Sequence, residues 1–578
     1  MNAPLESIPE HLREYITEQD PTLYTPIDHA VWRYVMRVSK AFFAVHGHPL
    51  YIQGLSTTGI STDHIPLISE MDQALRKLGW RAVAINGFIP PAIFLEFQAL
   101  RILAIACDIR KLENIGYTPS PDIIHEAAGH VPIVADPEYR KYLEAYGEVA
   151  RNAIITKADL ELYEAVFNLS EIKEDPHSTP EQIAVIQKKF EEVASREVKP
   201  SEAALLTRMA WWTTEYGLIQ SSGNPLNDST NPPLIYGAGL LSSISESFHC
   251  LSQEVKKIPF TLKASINTSY DITRPQPQLF VARDFRELTL ALDEFANTMA
   301  YRQGGAYGLR LGVEAQNTVT AVLDSGVQLT GILKDALFTP TGEEAGFVLS
   351  GSKQFSFHDQ ASTAIPAHLL PEEILIPLFA AGISESSLEE IQRKIHGSGL
   401  HTKSGLRIQG RYQKTLELGR AVKIHLLERV QFIDDSGRVV YSEPTKVYPL
   451  VLANRVTSVF GGAADRKSFL LANRKPVQKV KSHKSNLTPE NTTLNFLYRQ
   501  VREFRDSGET NLRYLDTVFN QLDQYFPEDW LLRLELLEIY TEREPDNVIT
   551  AKLYQALEKL RSSLPERSEM IERGLELL

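Results

Sequence analysis

Apolar residues recur every three to four positions through much of the first 260 residues, a spacing that predicts amphipathic helices. Across residues 30–47, Trp32, Val35, Met36, Val38, Phe42 and Phe43 fall near one face. Residues 62–79 repeat the pattern, with Ile68, Met71, Leu75 and Leu78 directed inward. Pro90-Pro91 suits a first helical turn and predicts a further helix through FLEFQALRILAIACDIR, residues 94–110. The rhythm changes near residue 305. From Leu309 to Phe355, and from Leu406 to Leu452, apolar and polar residues alternate and β-branched residues are frequent, which predicts half-buried strands. Asp324-Ser325-Gly326 and Asp435-Ser436-Gly437 read as hairpin turns between them. A helical piece is predicted around residues 371–396. Helical spacing returns after residue 487, with Thr488-Pro489-Glu490 as a start and Pro527, Pro545 and Pro565 each opening a further stretch.

This succession predicts a multidomain α+β protein. A mainly helical domain occupies residues 1–300, with inserted segments at about 155–203 and 222–233. A β-rich, sandwich- or barrel-like domain follows at 301–472, then a basic linker at 473–487 and a helical bundle at 488–578. A hydrophobic content of 43% and a charged content of 23% belong to globular chains and exclude a largely disordered one. The net charge of −13 argues against nucleic-acid binding, which calls for a basic patch or stripe. The run NRKPVQKVKSHK, residues 473–484, reads as a solvated linker rather than a dock for an acidic partner. Two cysteines, Cys107 and Cys250, make neither a disulfide framework nor a four-thiolate metal site, as suits a reducing compartment. The opening MNAPLESIPEHLREYITEQD lacks the basic and apolar segments of a signal peptide, and no apolar run approaches a membrane span of about 20 residues. A cytoplasmic location with no membrane association is expected.

The segment YTPSPDIIHEAAGHVPIVADPEY, residues 117–139, carries the candidate chemistry. Ser120-Pro121-Asp122 is a helix-start signal that places His125 and Glu126 on a helix. His130 follows His125 by five positions, which on an ideal α-helix is a turn of about 140°. Gly129 is expected to end or bend the helix and let His130 swing back. A zinc protease helix needs His-Glu-x-x-His, and Gly129 cannot supply the second ligand, so a zinc hydrolase is disfavoured. Two histidines alone beside an Ala-Gly turn are more often a packing feature. WWTTEYGLIQ, residues 211–220, adds Glu215 in an aromatic and apolar setting, where a buried carboxylate needs a counter-charge, a hydrogen bond or a metal. Two imidazoles and one carboxylate make the facial triad of non-haem Fe(II) oxygenases.

PDIIHEAAGHVP, WWTTEYGL and then YGAGLLSS, residues 236–243, together resemble the pterin-dependent aromatic amino acid hydroxylases. The likeness extends upstream through Gly87, Phe94, Arg101, Arg110 and Tyr117-Thr118, and downstream to FVARDF, about half of the chain. It implies a mainly helical catalytic domain with His125, His130 and Glu215 as iron ligands. It implies that Arg110 pairs with the substrate carboxylate, supported by Thr118 and Ser242, and that Ser242 braces an iron-ligating imidazole. Pro121 and Trp211 would wall the aromatic ring. Phe94 would stack on the pterin, Gly87 and Ile89 would give it backbone contacts, and Glu126 would reach it through water. Each has a plainer competitor: Phe94 and Trp211 as core, Arg110 paired with a carboxylate such as Asp108, Glu126 as a helix-surface charge, Ser242 as a small residue between helices.

The resemblance therefore implies a monooxygenase that hydroxylates the ring of a free aromatic amino acid. It would use O2, Fe(II) and a tetrahydropterin such as tetrahydrobiopterin. The layout is most like the long bacterial phenylalanine 4-monooxygenases, so L-phenylalanine to L-tyrosine leads, ahead of tryptophan. A catalytically silent iron-binding scaffold is the alternative of a different class. Glu215 lies 85 positions beyond His130, a longer spacer than vertebrate members use, and the surplus reads as an inserted helical pair. The C-terminal half is expected to serve a protein partner or self-association.

Overall fold

The computed structural model describes residues 8–87, 89–116, 121–174, 178–220, 232–271, 274–365, 367–383, 386–418, 422–473 and 489–578. The predicted Thr118, most of the second inserted segment and the basic linker lie outside them. The first long helix, α1 (Pro26–His46), starts with a capping box in which Thr25 and Asp28 satisfy each other's backbone N–H groups. It buries the expected Trp32, Val35, Met36, Val38 and Phe43. The second predicted helix is confined to α2 (Ile68–Arg76).

The third divides. Helix α3 (Pro91–Ala99) ends at Arg101, whose φ of 59° no α-helix admits. The following ILAIA is strand β2 (Ile102–Ala106), paired in parallel with β1 (Arg81–Ile85). A continuous apolar run suits a strand covered on both faces as well as it suits a helix, so periodicity could not separate the two. Then come α4 (Pro137–Ala150) and the pair α5 (Lys157–Glu174) and α6 (Pro180–Ala194), the inserted helices. Helix α7 (Glu202–Ala210) leads into the Glu215 segment. Four short strands, β3 (Leu218–Ile219), β4 (Leu234–Ile235), β5 (Lys256–Pro259) and β6 (Gln278–Ala282), form a sheet in the order β4-β3-β6-β5. Between them lie α8 (Ala238–Leu241) and α9 (Ile244–His249), and α10 (Phe285–Ala296) closes this part.

The strand pattern read from Leu309 begins instead within a helix, α11 (Gly305–Ala315). Strands begin at β7 (Thr318–Leu323). It pairs with β8 (Gln328–Phe338) across the predicted Asp324–Gly326 turn, and β8 pairs in turn with β9 (Glu344–Phe357). The second sheet is built around the long hairpin Arg407–Leu418 and Val422–Ile433, and Asp435–Gly437 turns it into Val439–Glu443. Both sheets bury side chains in one core, Val319, Leu329 and Phe347 from the first and Ile408, Ile424 and Phe432 from the second. Among the described residues of the predicted helical piece only α12 (Leu388–His396) is helical, and Ile374–Pro377 is a buried strand on β9.

Beyond residue 488 the described residues form five helices: α13 (Pro489–Ser507), α14 (Arg513–Tyr525), α15 (Leu531–Arg543), α16 (Val548–Ser563) and α17 (Pro565–Leu575). Their apolar faces join the core that α1 occupies: Leu497, Leu515, Leu531, Leu553 and Ile571 cluster with Val31, Tyr34 and Val35. Tyr34 meets Trp530 edge to face at 5.2 Å, and Arg33 pairs with Glu535 at 2.8 Å. No described helix is long and apolar enough to cross a membrane.

Candidate active site

His125 and His130 do share a face, but not through a bend at Gly129. Residues Ile124–His130 wind as a π-helix, closed by Val131 N–H to Glu126 O at 3.3 Å. Hydrogen bonds from i to i+5 bring residues five apart into the relation that four-apart residues hold in an α-helix. The expected 140° divergence therefore does not arise. Glu215 sits on a second π segment, Trp211–Glu215, closed by Tyr216 N–H to Trp211 O at 2.8 Å. Gly129 serves packing instead. A Cβ there would lie 2.7 Å from the Ala238 carbonyl oxygen, so only glycine lets α8 approach the histidine segment this closely.

The donor atoms converge. His130 Nε2 lies 3.2 Å from His125 Nε2 and 3.3 Å from Glu215 Oε1, and His125 Nε2 lies 3.5 Å from Glu215 Oε2. Cis ligands about 2.1 Å from one first-row ion sit about 3.0 Å apart, so the set needs little adjustment to hold a metal. Among the described residues this is the cluster of three His, Cys or carboxylate groups close enough to do so.

Ser242, at the end of α8, fixes the chemistry of His125. Its hydroxyl donates to the Ala238 carbonyl at 2.8 Å, so its oxygen can only accept from His125 Nδ1 at 3.0 Å. The proton is thereby held on Nδ1, and Nε2 keeps its lone pair toward Glu215 and His130. The small-residue reading of Ser242 thus gives way to a hydrogen-bonding one. Burial lowers the His125 pKa to about 4, so the ring is neutral at pH 7. Burial also lowers His130, but the adjoining Glu215 carboxylate overrides it and holds His130 at about 9. Burial raises Glu215, and the two imidazoles override that and hold it at about 2.

Arg110 is locked beside this cluster with its side chain 1% exposed. Its Nε and Nη2 donate to the two oxygens of Asp122 at 2.9 and 2.8 Å, and Nη1 donates to the Ser242 carbonyl at 2.9 Å. Its described carboxylate partner is therefore Asp122, where Asp108 was the expected competitor. Asp122 also accepts the backbone N–H groups of Arg110 and His125 at 2.8 and 3.0 Å. One buried carboxylate thus ties the guanidinium to the start of the histidine helix. Burial raises the Asp122 carboxyl, and Arg110 with those N–H groups holds it below the usual range. The one sequence signal for Asp122 is its place in the helix-start triplet, which suggests a cap and not an ion pair.

Trp211 is sandwiched between Tyr216 at 4.6 Å and Tyr270 at 4.2 Å, both stacked. Tyr270 comes from the loop before β6, and nothing in its sequence setting marks it. Pro121 is exposed just ahead of Asp122. Around α3, Phe94 is 40% exposed, which plain core packing does not produce, while the Ile89 side chain is buried. Gly87, with φ 56°, follows β1 in the left-handed region that favours glycine. Glu126 is buried rather than a surface charge, and burial pushes its pKa up to about 7.

A two-histidine, one-carboxylate centre with a braced imidazole and an adjoining buried arginine is the site of a non-haem metal protein. The family described as biopterin-dependent aromatic amino acid hydroxylase matches residues 14–158 and 190–332, and through these the chain belongs to that family. The break between the two matched stretches falls on the α5–α6 pair. Phenylalanine-4-hydroxylase of Mesorhizobium japonicum is 27% identical over 267 residues, which cover 46% of this chain and 78% of that one. The Chromobacterium violaceum protein of the same name is 28% identical over 267 residues, 46% of this chain and 72% of its own. A crystal structure of the latter protein with bound iron(III) and 7,8-dihydrobiopterin aligns at 25% identity and a TM-score of 0.38, covering 49% of this chain and 85% of that one.

Proposed function

We propose that this chain is a monooxygenase that hydroxylates the ring of free L-phenylalanine to give L-tyrosine, with O2, Fe(II) and a tetrahydropterin. The observation that carries this reading is the compact His125–His130–Glu215 set with His125 Nε2 left bare by Ser242, in a chain of this family. The donor chemistry suits iron, with ligand positions left for oxygen and substrate on one face. Bound there, iron and the pterin together supply the activation of O2.

The chain's own residues do the rest. His125, His130 and Glu215 hold the metal, and Ser242 keeps His125 in the ligating tautomer. Arg110 receives the substrate carboxylate through the Nη1 and Nη2 N–H bonds that Asp122 and the Ser242 carbonyl leave over, and those two partners fix the guanidinium in advance, so little freedom is lost on binding. Thr118 supports that end of the substrate. Trp211 and Pro121 wall the aromatic ring and exclude water from it. Phe94 stacks on the pterin, with Gly87 and Ile89 as its backbone contacts and Glu126 as its water-mediated partner. Residues 1–300 form the catalytic domain, and the β-rich 301–472, the linker 473–487 and the helices of 488–578 are further units of a cytoplasmic protein.

The test is anaerobic reconstitution with Fe(II) and a tetrahydropterin, followed by air and phenylalanine, tryptophan or tyrosine in separate reactions. Tyrosine formed from phenylalanine alone, and not by His130→Ala, is the expected result. Hydroxytryptophan would move the substrate assignment. No product despite bound iron would favour a silent scaffold.

A further inference from the structure

The C-terminal helices lie beyond the stretch matched by the family, yet α17 reaches the active-site side of the fold. Arg567 Nη1 donates to the carbonyl oxygen of Glu113 at 2.7 Å, across 454 positions of sequence. Ser245 Oγ, on α9, donates to Glu569 Oε2 at 3.2 Å. The Met570 side chain abuts Gly116, where an added Cβ would lie 3.3 Å from its terminal methyl. Tyr34 anchors this helix on α1 by donating to the Met570 carbonyl at 2.5 Å.

Glu113 and Gly116 belong to the turn that leaves Arg110. Its far side is held by Ser243, whose hydroxyl donates to the Gly116 carbonyl at 3.0 Å. Ser243 follows Ser242, whose own carbonyl accepts from Arg110. The turn is therefore gripped between α9 and α17, and both grips lie within a few residues of the guanidinium. A short turn held from one side only retains backbone freedom that must be lost when a ligand is clamped.

We propose that α17 acts in cis as a positioning element for the substrate-carboxylate clamp, with Arg567 and Glu569 as the positioning residues. This rests on the reading of Arg110 as that clamp. The apolar residues of α17 also cover the core, but the Arg567 and Glu569 contacts are exposed and contribute little to global stability. Their effect is therefore separable from folding.

The experiment compares the iron-loaded, full-length enzyme with Arg567→Ala, Glu569→Ala, the double variant and Arg567→Lys. It reads KM for phenylalanine, KM for the tetrahydropterin, kcat, phenylalanine Kd by calorimetry, and the thermal midpoint. In the double variant KM and Kd for phenylalanine should rise about three- to tenfold, the range of one hydrogen bond's net free energy. The pterin KM and kcat should stay within about twofold, and Arg567→Lys should recover part of the loss. Phenylalanine KM and Kd unchanged within twofold would overturn the proposal, as would a parallel rise of both KM values with a fall in kcat and thermal midpoint. Tyrosine production by the parent enzyme separates the two levels: parent activity with unaffected variants sinks only the role of α17, whereas a parent that makes no tyrosine sinks the functional reading and this role with it.

Discussion

Ser242→Ala isolates a single bond whose consequence is chemical. Ser242 is 2% exposed, so water cannot take the place of the lost hydroxyl. The variant leaves the His125 Nδ1–H donor without its acceptor, at a cost of about 1–3 kcal/mol for an unsatisfied buried group. The neutral ring can avoid that cost by moving its proton to Nε2, the atom that must be bare to ligate. Either way metal binding is penalised. Loss of a hydrogen bond that orients a ligand typically costs about 10–100-fold in metal affinity, or about 1.4–2.7 kcal/mol. The two estimates agree, and full burial favours the upper part. The assay is anaerobic Fe(II) titration of metal-free parent and variant followed by calorimetry, with thermal unfolding of both metal-free proteins as control. Ser242 also donates to the Ala238 carbonyl, so a modest fall in midpoint is expected alongside. An iron Kd within twofold of the parent would refute the tautomer argument and leave Ser242 a purely structural residue.

Metal binding should also release protons. Metal-free His130 titrates at about 9, above its ordinary 6.5, so at pH 7 iron must displace about one proton from it, while neutral His125 and ionised Glu215 release none. Calorimetry at pH 7 in buffers of differing ionisation enthalpy measures this, and zero release would contradict the His130–Glu215 pairing. The same raised value means that protonated His130 stabilises the metal-free fold fully below about pH 6.5, and that this contribution is lost as pH rises through about 9. Arg110→Met should cost about 3–5 kcal/mol in urea unfolding, because it leaves the Asp122 carboxylate buried without its partner, and adding Asp122→Asn should recover part of that loss. Gly129→Ala should cost about 1–3 kcal/mol and weaken iron binding, because its Cβ forces α8 and Ser242 away from His125; an unchanged midpoint would refute the close-approach argument. Phe94→Leu should raise the tetrahydropterin KM about two- to tenfold and leave the phenylalanine KM within twofold, because an exposed ring contributes stacking and little core burial.

Candidate metal ligands and most element types are legible in the chain alone. His125, His130 and Glu215 could be picked out because a carboxylate and two imidazoles amid apolar residues are costly without a shared partner. Helix α1 and the two Asp-Ser-Gly hairpins were equally legible, because their periodicity and turn chemistry are local. Tertiary structure decided what depended on distant atoms. The run Ile102–Ala106 became a strand because β1 was there to pair with it. The histidine segment took π winding, a geometry that the α-helical spacing argument did not allow for, and Gly129 was needed to admit α8. Asp122 was claimed by Arg110, a pairing that the helix-start triplet does not encode. The C-terminal helices settled on α1 and the Arg110 turn rather than on each other alone. Apolar faces and hydrogen-bonding groups are written locally, but what each one meets is fixed only when segments hundreds of residues apart compete for the same core.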